Sequence, residues 1–280
     1  MRLRPRSAPF ARPSVSDAIV TFFFDALADL RLALRSWGGD LALLEGDFDQ
    51  QLGALAKRVG AGALYYNVDH EPSAVARDES VARGSRGAGM QVETCIDHVY
   101  YGAGEIVKAD GSPYTVFTPY KRRWLERRAC DPRPPVASFA AAVKKLASRE
   151  AIGETRAVPE PAAYGRVRLP QFVRGGEDRA RKLLGVFITE RIVDYAKARD
   201  FPASAGTSHL SPHLRAGTIG IRTCVARALD ARSTGGSSNT GIDTWIGELI
   251  WRDFYQQILA NFSARRKRAV RRPRKAHRVP

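Results

Sequence analysis

The first third of the chain alternates between helical and strand-like hydrophobic patterns. Apolar side chains recur at three- and four-residue steps over residues 23–37 and again over 48–59, and glycines follow both stretches. This spacing predicts two amphipathic helices, the second of them capped by Asp47. A weaker helix, interrupted by three glycines, is predicted from about Pro72.

Short apolar runs lie between and after these helices. They cover residues 41–44, 63–68 and 91–96, and each is typical of a buried strand. Strands that alternate with helices predict crossover connections and therefore a parallel sheet. The pattern opens on a helix, with no strand before it.

The second half of the chain has a different pattern. After a turn-rich stretch and a short basic helix from Lys121, six of the 16 prolines fall between residues 129 and 176. They predict a long connection, broken by one helix near residues 138–148. A helical stripe then covers residues 180–195. Further helices are expected from Ser211, near Thr218 and from about Asp243, with a flexible loop over residues 233–238.

These patterns predict an α/β domain with a parallel sheet, joined by a linker to an all-helical domain. The predicted segments are a basic disordered start (1–21), the α/β domain (22–128), the linker (129–174), the helical domain (175–262) and a basic disordered tail (263–280).

Composition narrows the class of protein. The 280 residues are 44% hydrophobic, enough for a substantial core, and no apolar run approaches the roughly 18 residues of a membrane span. Three cysteines far apart exclude a disulfide scaffold. We therefore expect a soluble, cytoplasmic protein without a membrane partner.

The net charge of +16 makes nucleic acid the first candidate partner. The charge is uneven, however. Residues 1–12 and 263–280 together carry 13 basic side chains and no acidic one, which leaves 32 basic against 29 acidic residues elsewhere. The basic tail is interpreted either as a non-specific phosphate binder or as a solvated segment without a function.

Hydroxyl side chains surround the predicted helix start at Ser211. Thr207 and Ser208 precede it, and Ser211 followed by Pro212 is a typical N-cap with proline at the first helical position. Free N–H groups and hydroxyl donors there suit a phosphate or pyrophosphate. The alternative, a well-capped helix that binds nothing, stays open. His209 and His213 lack a carboxylate or cysteine to complete a ligand set, so no metal is expected.

Four side chains at three- and four-residue steps share one face of the last predicted helix: Glu248, Trp251, Arg252 and Tyr255. They are interpreted either as a surface ion pair beside a packed aromatic ring, or as a cavity lining in which an indole stacks on a flat ring and an arginine meets an anion. Neither a Gly-x-Gly-x-x-Gly fingerprint nor a P-loop occurs in the sequence.

Three ordered motifs resemble the flavin-binding signatures of the DNA photolyase/cryptochrome family. They read YAKARDFP (195–202), GTSHLSPHL (206–214) and WIGELIWRDFY (245–255). VFTPY (116–120) and NVDHEP (67–72) are similar to the N-terminal domain of that family. The similarity extends from about residue 22 to about residue 262, and three motifs in one order are far more specific than one.

The resemblance implies an α/β antenna domain followed by a helical domain that holds FAD, with part of the latter lacking. A folate or deazaflavin is implied as the antenna chromophore. The residues that match flavin contacts are Tyr195, Thr207, Ser208, His209, Leu210, Ser211, Glu248 and Arg252.

The resemblance also implies a substrate and a reaction. Trp251 would lie beside a pyrimidine dimer flipped out of DNA, and Arg199 would contact the DNA backbone. In the family, light-excited reduced FAD donates an electron to the dimer, whose cyclobutane bonds split before the electron returns. The protein binds and orients the cofactor. The implied protein is a monomeric deoxyribodipyrimidine photolyase.

Departures from the family pattern leave alternatives open. Nothing here matches its opening WFRRDLR-type motif, the similarity ends near residue 262, and four tryptophans are too few for its photoreduction chain. The resemblance therefore implies a fragment truncated at both ends, whose α/β domain lacks the first strand of the family's sheet. The activity of this fragment is open. The alternatives are a cryptochrome-type flavoprotein photosensor and a non-enzymatic DNA-binding remnant.

Overall fold

The computed structural model describes residues 15–136, 140–169, 174–234 and 239–270. In chain order the helices and strands are α1 (Asp17–Ser36), α2 (Phe48–Val59), β1 (Ala63–Asn67), α3 (Pro72–Gly87), β2 (Gln91–Cys95), α4 (Phe117–Cys130), α5 (Ala140–Val143), α6 (Arg149–Ile152), α7 (Glu177–Glu190), α8 (Tyr195–Ala198), α9 (Ser211–Ala216), α10 (Ile221–Thr234) and α11 (Thr240–Val270). No helix in these ranges has the length and apolar character to cross a membrane.

The sheet consists of β1 and β2, which pair in parallel from Ala63 opposite Gln91 to Asn67 opposite Cys95. Helix α3 makes the crossover between them and packs against β2. The predicted combination of a parallel α/β unit with an all-helical unit is confirmed, and the described chain opens on α1 and α2 before its first strand.

Local capping signals define the first helices. The Asp47 carboxylate accepts a hydrogen bond from the Gln50 N–H over 3.0 Å and so caps α2. Gly60 ends this helix at φ 63°, a left-handed conformation that glycine adopts without steric cost. Both features agree with the sequence prediction.

The strand predicted at residues 41–44 is not formed. A strand needs a neighbour for its N–H and C=O groups, and in the described part of the chain β1 pairs with β2 alone. The segment instead follows Asp40, whose carboxylate is held by Arg31 at 2.7 Å and by Arg35 at 3.0 Å.

The prediction of one helix near residues 138–148 is also wrong. It is reduced to α5 (Ala140–Val143), with 137–139 outside the described residues. The backbone then tightens into a turn in which the Lys145 N–H bonds the Ala142 carbonyl over 2.9 Å. Ser148 caps the separate helix α6 through the Ala151 N–H.

The predicted disordered ends are shorter than expected. Helix α1 begins at Asp17 and is capped by Ser16, so the first 21 residues are not all irregular. The backbone of α11 continues to Val270, because the basic tail starts with residue types that readily extend an existing helix. The predicted loop at 233–238 overlaps the end of α10. Residues 1–14, 235–238 and 271–280 lie outside the description.

The linker packs along α1. The Leu169 N–H donates to the Thr21 hydroxyl over 3.1 Å, and Arg168 pairs with Asp25 at 2.7 Å. The guanidinium of Arg31 bonds the Thr155 hydroxyl and the carbonyl of the following residue.

The main hydrophobic core joins α4 to α7, α10 and α11. Tyr100 and Trp124 contribute from the predicted α/β segment, and Phe187, Val225 and Ile250 from the helical segment. Residues from both sides of the linker therefore form one core. Several members of this core also line a pocket between α8 and α11.

Candidate functional site

A pocket of about 460 Å³ opens between α8, the loop before α9, and α11. The structure brings together here all eight side chains that match flavin contacts: Tyr195, Thr207, Ser208, His209, Leu210, Ser211, Glu248 and Arg252. They come from three separate stretches of the chain, so their common location is a property of the fold.

The loop before α9 is held in place by a close backbone contact. A Cβ on Gly206 would lie 2.7 Å from the Ala198 carbonyl oxygen, so only glycine fits between this loop and α8. His209 has φ 53°, the one left-handed non-glycine residue in the described chain. Strained backbone of this kind clusters at ligand sites. The loop presents Thr207 and Ser208 to the pocket.

The start of α9 differs from the prediction. Leu210, and not Ser211, takes the N-cap position, and no side chain caps the helix; Pro212 stands within its first two positions. Prediction of Ser211 as the N-cap is therefore wrong. A different local hydrogen bond forms before the helix, where the Ser208 hydroxyl accepts from the Leu210 N–H over 3.4 Å. Because α9 has only six residues, its dipole is small. The hydroxyl groups of the loop are therefore stronger candidates for binding an anion than the N-terminus of this helix.

Arg252 links the pocket to both units of the fold. Its Nε donates to the His98 carbonyl over 2.7 Å, and an Nη donates to the Leu214 carbonyl over 3.1 Å. Burial lowers the pKa of this guanidinium, although Asp253 opposes the shift. Arginine nevertheless keeps its proton at neutral pH, so Arg252 carries positive charge into the pocket wall.

Glu248 and Arg199 form an ion pair at the edge of the pocket. This hydrogen bond raises the pKa of Arg199, and burial raises the pKa of the neighbouring Tyr195. Arg199 also lies 3.5 Å from Asp200 and has about a third of its side chain exposed. It stands beside the pocket, whereas Glu248 and Tyr195 line it.

Trp251 does not line this pocket. Its indole stacks on Phe117 of α4, with ring centroids 3.6 Å apart and planes 7° from parallel, and Tyr255 follows at 5.3 Å. The four side chains predicted to share one face of α11 are thus divided. Glu248 and Arg252 face the pocket, and Trp251 and Tyr255 form an aromatic row beside it.

The pocket also contains apolar residues that were not predicted as site residues: Pro212, Leu214, Trp245 and Leu249. The sequence held a signal for one of them. Trp245 precedes Glu248 by three residues and Arg252 by seven, which places all three on one helical face.

The two histidines of the region differ in environment. His209 is exposed, whereas His213 is fully buried with its Nδ1 2.8 Å from the Thr218 hydroxyl and its ring 4.9 Å from that of Phe22. Burial lowers the pKa of His213 to about 4. Its geometry is that of a packed core residue.

A second pocket, of about 690 Å³, lies at the carboxyl ends of the two strands. Phe22 and Phe23 of α1 form its apolar wall, and Asp69, His98 and Arg215 bring polar groups to it. Arg215 pairs with Asp69 at 3.0 Å, which ties α9 to the loop after β1. Crevices at the carboxyl ends of parallel strands are the usual ligand sites of open α/β sheets.

Comparison with known proteins decides the family. The family model for DNA photolyase matches residues 3–138, a match that begins earlier than the resemblance near residue 22. A deoxyribodipyrimidine photo-lyase of Halobacterium salinarum is 35% identical over 86% of this chain and 50% of its own length. The chain belongs to the DNA photolyase family.

Two further similarities describe this photolyase-family chain. An uncharacterized 31.6 kDa protein of a Synechococcus species is 31% identical over 84% of this chain and 82% of its own length. In fold, the chain is similar to a class III photolyase of Agrobacterium tumefaciens, with a TM-score of 0.75, 23% identity, and coverage of 90% of this chain and 52% of that one.

The chain spans about half the length of the curated photo-lyases it matches. The photolyase family binds FAD, and the resemblance of the chain to this family is confirmed.

Proposed function

We propose that this chain holds FAD in the pocket between α8 and α11 and serves light-driven repair of pyrimidine dimers in DNA, as a deoxyribodipyrimidine photolyase does. The observation that carries the proposal is the meeting of eight side chains, from residues 195–252, around one pocket. If the motifs matched the family only by chance, their residues would not be expected to meet around one pocket.

The chemistry of the lining fits FAD. Thr207, Ser208 and Ser211 offer hydroxyl donors for the pyrophosphate, and Trp245 and Leu249 offer apolar surface for a flat ring. Bound FAD supplies the light absorption and the transferable electron. The residues of this chain bind and orient it, and the packed core behind the pocket excludes water.

We assign the DNA contacts to Arg199 and Trp251. Arg199 is partly exposed at the pocket edge and could exchange the Glu248 carboxylate for a backbone phosphate. Trp251 stands in an aromatic row whose outer member, Tyr255, is exposed, which suits stacking on an extruded base. Pyrimidine dimers are the proposed lesion, because a weakly stacked damaged site is the least costly to flip out.

A folate or deazaflavin antenna is proposed for the second pocket, between α1 and the ends of β1 and β2. Its apolar wall and three polar groups match the usual lining of a site for a flat ligand. In this proposal residues 22–128 form the antenna domain, 129–174 the linker and 175–262 the flavin-binding domain. The Arg215–Asp69 ion pair lies in the lining of this second pocket.

Reconstitution with FAD tests the proposal. The full chain, refolded with FAD and freed of excess ligand, is expected to keep visible flavin absorbance. Exchange of Ser211 and Thr207 for alanine should weaken FAD binding by about tenfold or more, since it removes hydrogen bonds to a charged group. Thr189→Ala is the matched control, because this exposed hydroxyl bonds the Gly185 carbonyl of α7, outside the pocket. Absence of flavin absorbance would refute the proposed site.

Light-dependent repair of a dimer-containing oligonucleotide then tests the activity. A chain that binds flavin and repairs the dimer supports the photolyase function. A chain that binds flavin and leaves the dimer intact under light rules out repair and favours a photosensor. DNA binding that persists without flavin, and is lost on deletion of residues 263–280, would favour the non-enzymatic alternative.

A further inference from the structure

A third pocket, of about 240 Å³, lies where α4, α10 and α11 meet. Asp243 and Ile246 of α11 line it, whereas Glu248 and Arg252 of the same helix line the flavin pocket. At 100° per residue these two pairs point to opposite sides of α11. The third pocket is therefore separate from the proposed flavin site and from Arg199 at its edge.

Three cationic side chains converge on this pocket: Lys121 and Arg128 from α4 and Arg232 from α10. Asp243 is the one carboxylate in the lining, and it pairs with Arg232. Lys121 and Arg128 have no ion-pair partner within the described ranges. The pocket thus carries two uncompensated positive charges.

Neighbouring basic residues of α4 are satisfied, which sets Arg128 apart. Arg123 pairs with Glu126 at 3.4 Å, and Arg127 pairs with Glu105 at 3.6 Å. The Nε of Arg128, in contrast, is buried and finds no hydrogen-bond partner among the residues that the structure describes. A buried donor without an acceptor is costly, and an anion in the pocket would supply the acceptor.

Gly247 allows Lys121 to approach α11. A Cβ at this position would lie 3.2 Å from the Lys121 Nζ, closer than ordinary van der Waals contact. Glycine inside a helix is unfavourable compared with alanine, and at this position it leaves room for the ammonium group.

We propose that this pocket binds the phosphate group of a small molecule. Two free cations, one of them a planar guanidinium with an unsatisfied donor, match the charge and the acceptor geometry of phosphate. The volume lies below the roughly 300–1,000 Å³ of pockets for whole organic ligands, so the pocket accommodates one charged group. The ligand is inorganic phosphate or a phosphomonoester whose organic part stays outside.

Calorimetric titration of the full chain with inorganic phosphate, at constant ionic strength, tests this site. We expect saturable binding that Arg128→Gln weakens by about tenfold or more. Arg122→Gln is the matched control, because it removes the same charge from an exposed position of α4 paired with Glu126. It should change the affinity by less than about twofold. A parallel titration with adenosine monophosphate shows which source of phosphate binds more tightly.

A second variant guards against a folding defect in Arg128→Gln. Gly247→Ala improves intrinsic helix propensity, so its thermal midpoint should equal or exceed that of the parent chain, yet it displaces the Lys121 Nζ. Weaker phosphate binding by this stable variant supports the site. Equal affinities in Arg128→Gln and Arg122→Gln, or no saturable binding at all, would overturn it. Binding that is lost in Ser211→Ala and kept in Arg128→Gln would place the phosphate in the flavin pocket and equally refute the proposal.

Discussion

The Trp124 indole N–H donates a hydrogen bond to the Asp253 carboxylate over 2.9 Å, inside the core where α4 packs on α11. The backbone N–H groups of Tyr100 and Tyr101 bond the same carboxylate at 3.0 Å each. One buried side chain therefore joins α11 to α4 and to the loop that follows β2. This junction lies one residue from Arg252, in the wall of the pocket proposed to hold FAD.

Removal of the Asp253 carboxylate should destabilise the protein strongly. Asp253→Ala leaves three buried N–H donors without an acceptor, at a cost of about 1–3 kcal/mol each. We expect the free energy of unfolding to fall by more than about 3 kcal/mol in denaturant titrations. Trp124→Phe removes one donor and keeps the aromatic packing, so it should cost less. Equal losses in the two variants would show that side-chain volume, and not hydrogen bonding, stabilises the junction.

The same carboxyl group should make stability depend on pH. Burial raises the pKa of Asp253 from 3.8 to about 7, although the three N–H donors and Arg252 oppose the shift. Between these values the folded state holds a proton that the unfolded state releases. The free energy of unfolding should therefore fall as the pH rises from about 4 to 7. Asp253→Asn cannot titrate, so the difference between the pH profiles of the two proteins isolates this group. Parallel profiles would contradict the prediction.

His213 should act in the opposite direction. Its pKa falls from 6.5 to about 4, chiefly through burial, so the unfolded state takes up a proton first as the pH is lowered. The contribution of this residue to stability is present above pH 6.5 and is lost as the pH falls toward 4. In His213→Phe, which keeps a ring against Phe22, this loss of stability on acidification should be smaller than in the parent chain. An unchanged acid response would show that His213 does not titrate in this range.

Gly206→Ala should damage the proposed flavin pocket. The added Cβ would lie 2.7 Å from the Ala198 carbonyl oxygen, so the loop carrying Thr207 and Ser208 must shift. We expect a loss of about 1–3 kcal/mol in stability and weaker FAD binding. Gly185→Ala on α7 is the control, because a Cβ there meets nothing within 4 Å. It should stabilise the helix by up to about 1 kcal/mol and leave flavin binding unchanged. Normal FAD affinity in Gly206→Ala would show that this contact does not position the loop.

Features coded within a few residues could be predicted from the sequence. Asp47 and Gly60 delimit α2 because capping depends on groups three or four positions away. The run at 41–44 has the composition of a strand, yet whether it pairs depends on a neighbour elsewhere in the chain. The local pattern therefore could not show whether residues 41–44 form a strand.

The site residues show the same division. Glu248 and Arg252 were predicted to line a pocket, and they do so because helix periodicity fixes their common face. Trp251 satisfies the same periodicity but stacks on Phe117, 134 positions earlier, through a tertiary contact that spacing does not encode. Leu210, and not the predicted Ser211, is the N-cap of α9, because helix boundaries shift by one or two residues with local geometry.

The core that crosses the linker has a consequence for the order of folding. Helix α4 leaves the ribosome more than a hundred residues before α11, yet its Tyr120 packs on Phe254 of that later helix and its Trp124 donates a hydrogen bond to Asp253 there. Until α11 has been synthesised, these aromatic rings have no complete core to enter, and the hydrogen bonds to Asp253 cannot form. Contacts of such long separation slow folding and prolong the exposure of apolar surface. This chain therefore most needs protection from aggregation during its synthesis, in the period after α4 has been made and before α11 is complete.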